Sequence, residues 1–565
     1  MEIRLELSDW LYNAGLVGIM NIFDRAEVPY EKSRNAITFQ SEVLEDFSKY
    51  YFEYFCEKYE PFTSWYKIVS NKSFLDQIDI KTLDEKQFND LNKYIEDTKK
   101  KLQSNSYKNT YHLIRNSPHD ISKLATELKK IKMKKSETFL DIQEDILGTI
   151  GTLQQIILCL KHPDTKRYIM ARNVVYEVIQ QFWEGVSFLH KSANKNDMYE
   201  ECKRYFVDPI FSYIEEKEEE KRYSKYKYNC FNCENKFSKL GSAYELTWIN
   251  KTGVDSARKS SHFWNYISDA YVCPVCNLIY ACIPAGFTII NGKGLFINET
   301  ANIKELHSLN QLVLYKGGSV QGLDSLEEQS YFRIVDVLGQ AGVQHAKKEI
   351  QNIQIIKFNA ANTSRPYTFN VLSKEKLLII EKNKKYLERL VGRFVKEGKE
   401  YISLYQEVTK RLYNNQHQFD LLYRLFRLVL DNEYKMLSIL KSILYINNSQ
   451  FKGGKEQVYY KQINQFQEYG FQLRKTYVGN ENKLSGITYR LLNALKLKNS
   501  HRFMDTLVNA YMYKGQQIPM NFVQALHDEM KFQTIGYAFL LGLQGEQQKL
   551  EKGEEIKNAK KGVNI

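Results

Sequence analysis

Two Cys-x-x-Cys pairs, Cys230-Phe-Asn-Cys233 and Cys273-Pro-Val-Cys276, stand thirty-nine residues apart and constrain this chain more than any other feature. An ion held by four thiolates at about 2.3 Å draws both pairs, and the segments that carry them, to one point. Each knuckle supplies two sulfurs steadied by backbone N–H groups, and Pro274 stiffens the second turn. Chance burial of thiols or a redox dithiol is the alternative. Two such pairs among only eight Cys favour Zn2+ on Cys230, Cys233, Cys273 and Cys276, with His262 as a spare ligand. Four protein ligands leave no open position, so the expected ion is structural.

The 565 residues suffice for about three or four domains with buried cores, and a hydrophobic content of 43% is that of an ordinary soluble protein. The first 23 residues are apolar, but Glu2, Glu6, Asp9 and Asn13 interrupt them without a basic leader or cleavage site. No run of 18 apolar residues occurs. The expectation is a cytoplasmic protein with no membrane partner. Reduced thiols accord with this, because Cys56, Cys159, Cys202 and Cys282 show no disulfide-scaffold spacing. Residues 371–565 hold 32 Lys+Arg against 19 Asp+Glu, an excess equal to the whole chain's +13. The first 370 residues are therefore neutral as a block. Either a polyanion meets the C-terminal part, or its helices carry a solvated surplus of Lys.

Residues 2–7 alternate like a strand, and Ser8 or Asp9 can cap a helix through Trp10, Leu11, Gly15 and Ile19. Residues 41–211 read as mainly helical, with aromatic-rich 47–59 and apolar 142–160. Lys99 to Lys101 and the cluster Lys129, Lys130, Lys132, Lys134 and Lys135 are solvated faces or nucleic-acid contacts. A charge-dense stretch, 215–222, leads into the cysteine module, within which 244–249 looks β-like. Segments 286–291, 311–315, 353–358 and 367–372 read as further strands. Beyond Ser373 the spacing of Leu387, Leu390, Val391 and Phe394, then Leu404, Val408 and Leu412, is helical, and strands are expected to cease. Helical patterns continue over 418–446, 484–497, 501–513 and 521–543. The expected fold class is α+β multidomain: a mixed α/β N-terminal and middle part with an inserted four-cysteine zinc module, then an all-α C-terminal bundle. The expected boundaries are a mainly helical α/β domain at 1–224, the zinc module at 225–285, an α/β middle part at 286–373 and a basic helical bundle at 374–565.

No phosphate-binding loop, zincin motif, nucleophile elbow or dinucleotide fingerprint is present. His119-Asp120 and His162-Pro163-Asp164 lack acidic or His partners at nuclease spacing and read as surface or capping residues. Between the knuckles, 250–261 is polar, and it is followed by the bulky Phe263-Trp264. Lys251, Arg258 and Lys259 suit phosphates, while Asn250 or Ser260 suit bases; a mere connector is the bland alternative. Arg389, Arg393 and Lys396 recur every three or four residues opposite the apolar stripe, as do Arg424 and Arg427, and offer a phosphate track.

The start SDWLYNAGLVG (8–18), the segment KSSHFWNYISDAYVCPVCNLIYACIPAGF (259–287) and the ending that includes 535–543 resemble one family. It is the large subunit of type I-B CRISPR Cascade interference complexes, the Cas-eight group that includes the Cst proteins. The resemblance implies a non-catalytic scaffold in a crRNA-guided complex. Such a subunit reads the protospacer-adjacent motif on target DNA, helps to open the duplex, holds the displaced strand, contacts the Cascade backbone subunits and recruits a separate helicase-nuclease. It also implies that the C-terminal part corresponds to the small subunit, which related genes also make separately from an internal start; here Met436, or a non-Met start near Lys396, would serve, and a fused bundle with no separate product is the alternative. A metal-dependent nuclease or RNA-processing enzyme, and a guide-independent zinc-ribbon regulator, are the alternatives from other classes.

Overall fold

The computed structural model describes residues 1–545 except 135, 219–222, 227, 238–243, 246, 253–270, 291, 301, 312–352, 363–365, 373, 398–399, 432–435, 452–455 and 527. These residues fall into two compact units, 1–311 with 353–371, and 372–545. The architecture is mixed α+β, with a cysteine cluster in the first unit and a helical second unit.

The first unit opens with β1 (Glu2–Glu6), whose Ile3 and Leu5 point inward and whose Glu2, Arg4 and Glu6 point out. Asp9 then caps α1 (Trp10–Arg25), accepting from the N–H groups of Leu11 and Tyr12. Ser8 plays a different part: its N–H donates to Asn13 Oδ1 at 2.8 Å. A short β2 (Glu31–Lys32) and β3 (Ala36–Gln40) complete a sheet of order β1-β3-β2, antiparallel throughout. α2 (Phe47–Tyr59) follows, and a helical array with its own apolar cluster extends to the helix Pro163–Glu177. Asp120 and Asp164 act as backbone caps there. Asp120 accepts from Ser122 and Lys123 N–H, and Asp164 from Arg115 and Asn116 N–H.

α1 is nearly all buried because elements pack on it from several sides. The helices Pro274–Ala281 and Ile283–Gly286 approach so closely that a Cβ on Gly15 would lie 2.2 Å from Ile279 O, and one on Gly18 2.0 Å from Cys282 O. Carbonyls that these short helices leave open at their ends are capped by tyrosines of α2. Tyr51 Oη donates to Ala281 O at 2.9 Å and Tyr54 Oη to Ala285 O at 3.0 Å.

The cysteine segment carries β4 (Tyr228–Asn229), β5 (Lys236–Phe237), β6 (Tyr244–Glu245) and β7 (Tyr271–Val272), which form two small antiparallel pairs, β4 with β5 and β6 with β7. The β-like run expected over 244–249 is strand only at its start; Thr247–Thr252 coils into a 3-10 helix. Trp248 buries against Trp183, ring centroids 5.3 Å apart, and Tyr280. β8 (Thr288–Ile290), β9 (Lys293–Asn298), β10 (Ile353–Asn359) and β11 (Tyr367–Leu372) make a second sheet of order β11-β10-β9-β8. The strand expected at 311–315 does not begin at Gln311, which ends the helix Ile303–Asn310; 312–315 lie outside the described residues. α1, the cysteine knuckles and the inner faces of β9 and β10 share one hydrophobic core.

The second unit is helical, as the apolar spacing predicts, with one exception. Gly392 adopts φ +68° and ends the helical run, and β12 (Phe394–Glu397) pairs antiparallel with β13 (Glu400–Ser403). The expectation that strands cease after Ser373 is corrected at this hairpin. The run 418–446 is also two helices, Phe419–Leu430 and Leu437–Phe451. Helices Glu456–Thr476, Glu481–Lys496, Ser500–Tyr513 and Glu529–Gln544 complete the unit. Asn499 caps the third of these by accepting from Arg502 N–H.

Candidate metal centre

The first knuckle is the turn of the β4–β5 hairpin. Cys230 N–H donates to Asn235 O at 2.8 Å and Glu234 N–H to Cys230 O at 3.0 Å. Glu234 takes φ +59°, the left-handed conformation that reverses the chain so that Cys233 faces Cys230. The second knuckle is a helix start. Cys273 is the N-cap of Pro274–Ala281, with proline at the first helical position, and its Sγ accepts from Cys276 N–H at 3.5 Å. Phe231 N–H donates to Tyr271 O at 2.8 Å and joins the two knuckles.

The four sulfurs so assembled all lie within 4.8 Å of one another, and Cys233 Sγ and Cys273 Sγ are 3.7 Å apart. Four thiolates at about 2.3 Å from one tetrahedral ion stand about 3.8 Å apart, so the spacing fits a metal-thiolate centre. The surroundings favour thiolates. Cys273 N–H donates to Cys230 Sγ at 3.3 Å, Asn235 Nδ2 to Cys233 Sγ at 3.2 Å and Asn232 Nδ2 to Cys276 Sγ at 3.7 Å. Cys276 N–H, at the start of its helix, also faces Cys273 Sγ. The thiols titrate as a set: hydrogen bonds from Cys233, Cys273 and Cys276 pull Cys230 well down, while bonding to Cys230 pushes Cys273 and Cys276 up. Four sulfurs crowded in a core cannot all ionise unless a cation balances them, which is what this donor set can hold. Among the described residues no other group of three or more His, Cys, Asp or Glu side chains is placed to bind a metal.

Tyr12 comes from α1 to the centre, its Oη 3.9 Å from Cys276 Sγ. Burial first, and then the charge of Cys276, raise its pKa well above the ordinary range, so it stays a neutral phenol. A cleft of about 430 Å³ runs beside the knuckles, lined by β1, Tyr213, Lys217, Asn232 and Asn235. Sequence reasoning identified the four cysteines and missed Asn232, Asn235 and Tyr12. The two asparagines were signalled by their place within and just after the first pair; Tyr12 comes from a distant segment and left no local signal.

The described residues expected to touch nucleic acid lie on several elements. Asn250 and Lys251 belong to the 3-10 helix, and Lys251 Nζ pairs with Glu184 Oε1 at 2.8 Å. Arg258, Lys259 and Ser260, like His262, lie outside the described residues. Arg389, Arg393 and Lys396 are exposed but do not share a helix, as their spacing suggested. Arg389 ends the helix Lys384–Glu388, Arg393 follows the Gly392 turn and Lys396 is in β12. Arg424 and Arg427 do share the helix Phe419–Leu430, and Arg424 Nη1 lies 3.9 Å from Glu407 Oε1.

Residues 223–288, the stretch that contains all four cysteines, match the model of a family described as CRISPR-associated protein (Cas_CXXC_CXXC). The site is thus a four-cysteine module, similar over this stretch to a CRISPR-associated family, set in a mixed α+β fold. No curated protein and no solved structure matches the chain. No described helix is long and apolar enough to cross a membrane.

Proposed function

We propose that this chain is the large, non-catalytic subunit of a crRNA-guided type I-B CRISPR interference complex, and that its cysteine centre holds a structural Zn2+. One observation carries the reading: the segment that matches a CRISPR-associated family is also the one whose four sulfurs assemble into a closed metal site packed against α1. A closed tetrahedral thiolate set offers a substrate no coordination position, so its work is to fix the knuckles and the segment between them.

In this reading guide pairing supplies sequence recognition, and the protein reads only a short motif and the phosphate backbone. Asn250, Lys251, Arg258, Lys259 and Ser260 face the motif duplex. Exchange of the exposed Glu184 partner of Lys251 for a phosphate costs little, because surface ion pairs contribute only about 0–1 kcal/mol. Arg389, Arg393, Lys396, Arg424 and Arg427 serve the opened strands. The partners are crRNA, target DNA, Cascade backbone subunits and a separate helicase-nuclease. The domain division is a 1–224 helical α/β part, the 225–285 zinc module, the 286–373 middle part and a 374–565 part equivalent to the small subunit.

Co-expression with backbone subunits and a repeat array, followed by purification on a tag carried by this chain, tests the assignment. RNA with a repeat-derived 5′ end and the backbone subunits are expected to copurify. Recovery of the chain alone and free of RNA would contradict it.

A further inference from the structure

β1 stands at the edge of its sheet, and the cleft beside the cysteine centre opens along that edge. Ser41 N–H donates to Met1 O at 2.8 Å and Leu7 N–H to Asn35 O at 2.9 Å. In an antiparallel register, bonded pairs of this kind alternate with unbonded ones. Ile3 and Leu5 therefore bond β3, whereas the N–H and C=O groups of Glu2, Arg4 and Glu6 point away from it. Among the described residues β1 lines the cleft and β3 does not, so the outward groups face the cleft. No described strand pairs with them.

An open strand edge is a template for a further strand. Two features oppose a second copy of this chain in that place. The edge is sunk, because Tyr213 and Lys217 of the helix Asp208–Glu218 and Asn235 of the first knuckle form the other wall of the cleft. The fullest antiparallel pairing of two β1 strands, centred on Arg4, would also set Arg4 against Arg4 and Glu2 against Glu6, and like charges directly opposed destabilise a sheet. A single extended segment meets neither obstacle.

The chemistry of that segment follows from what it pairs with. The outward side chains of β1 are Glu2, Arg4 and Glu6, all exposed, with Arg4 Nε 2.9 Å from Glu6 Oε1. Cation, anion and cation at alternate positions of an antiparallel segment complement them. The positions between point as Ile3 and Leu5 do, towards the core, where Ile214 and Val275 line the cleft. Those positions suit Val or Ile. We infer that the β1 edge is a docking groove for an extended segment of a partner protein, apolar at alternate positions and basic where it faces Glu2 and Glu6. The inference goes beyond the assignment above and does not rest on it.

Fluorescence anisotropy of the full-length chain with a labelled peptide, acetyl-Lys-Val-Glu-Val-Lys-Val-amide, and with its charge-reversed counterpart, acetyl-Glu-Val-Lys-Val-Glu-Val-amide, tests this. The first is expected to bind about 10-fold more tightly, since three cross-strand charge pairs change sign. R4P removes an N–H that β3 does not use and puts a ring where an added strand must approach, so it is expected to keep its fold in a thermal melt. It should weaken binding of the first peptide by about 10-fold or more through lost ladder hydrogen bonds, while R4A, which keeps the N–H, should lose far less. The triple exchange E2K/R4E/E6K, confined to exposed side chains, is expected to reverse the preference between the peptides. Binding of neither peptide, equal binding of both, or a folded R4P variant that binds like the parent would overturn the proposal. A dimer of the parent chain that R4P abolishes would assign the edge to a second copy and overturn it as well.

Discussion

Cys273 does more than join the sulfur cluster: its N–H donates to Cys230 Sγ, its own Sγ caps a helix, and the side chain is buried in the core that α1 shares. Cys273→Ser should therefore release the metal and cost on the order of 4–5 kcal/mol, as loss of a structural ion does. Elemental analysis and calorimetry check both effects; a variant that keeps one ion per chain contradicts the four-thiolate assignment. A second residue-scale outcome concerns pH. His307 is buried with Nδ1 3.0 Å from Lys32 Nζ and Nε2 3.1 Å from Asn21 Oδ1, and burial, with Lys32 adding to it, lowers its pKa to about 4. Asp24, 3.5 Å away, opposes that shift only in part. The native state thus keeps a neutral imidazole, whereas the unfolded chain protonates near 6.5. Stability is full above pH 6.5 and falls as pH drops towards 4, by at most about 1.4 kcal/mol per pH unit from this group. Denaturation of the first unit at several pH values measures the slope, and His307→Asn should flatten it. The four cysteines that come together were legible because the spacing within each pair is local. The charge partners of His307 were not, since they come from segments hundreds of residues away.

At the scale of elements, the N-terminal motif has a steric cause. α1 meets the Pro274–Ala281 and Ile283–Gly286 helices across Gly15 and Gly18, and a methyl group at Gly18 would sit 2.0 Å from a carbonyl oxygen. Gly18→Ala should destabilise the first unit by about 1–3 kcal/mol, the cost of overpacking. Intrinsic helix preference alone would favour Ala by about 1 kcal/mol, so the sign of the measured change separates the two effects. Chemical denaturation of the variant gives that sign. The same scale shows where the sequence misleads. β1, α1, α2, β10 and β11 follow from period and capping, and they stand where expected. Leu387, Leu390, Val391 and Phe394 also fit helical spacing, yet Gly392 turns the chain, and Val395 then buries by strand alternation. Four residues per strand are too few for a period of 2 to outweigh a helical pattern already begun. The helix Ile303–Asn310 and β9 were missed for a related reason: β9 has five consecutive buried residues and therefore little alternation to read.

For the whole molecule, the division at Leu372 bears on whether part of this chain stands alone. A fragment of residues 372–565 should fold and melt cooperatively. One that begins at Met436 should not, because it lacks the helix Phe419–Leu430. Tyr537 Oη donates to Phe419 O at 3.1 Å, and its ring stacks on Phe419 and Phe426 with both centroids 5.7 Å away. Loss of that helix bares the apolar face it covers, so the shorter fragment should associate or aggregate, as size-exclusion chromatography and circular dichroism would show. A monomeric, cooperatively melting fragment from Met436 would favour that internal start for a separate small subunit. The assignment itself is tested most directly by target binding. Complexes assembled on guide RNA, with and without this chain, are titrated against duplexes that share the guide-complementary sequence and differ only in the adjacent motif. Tight binding that requires both this chain and the motif is the expected result, whereas binding of equal strength without the chain, or without regard to the motif, would contradict the account.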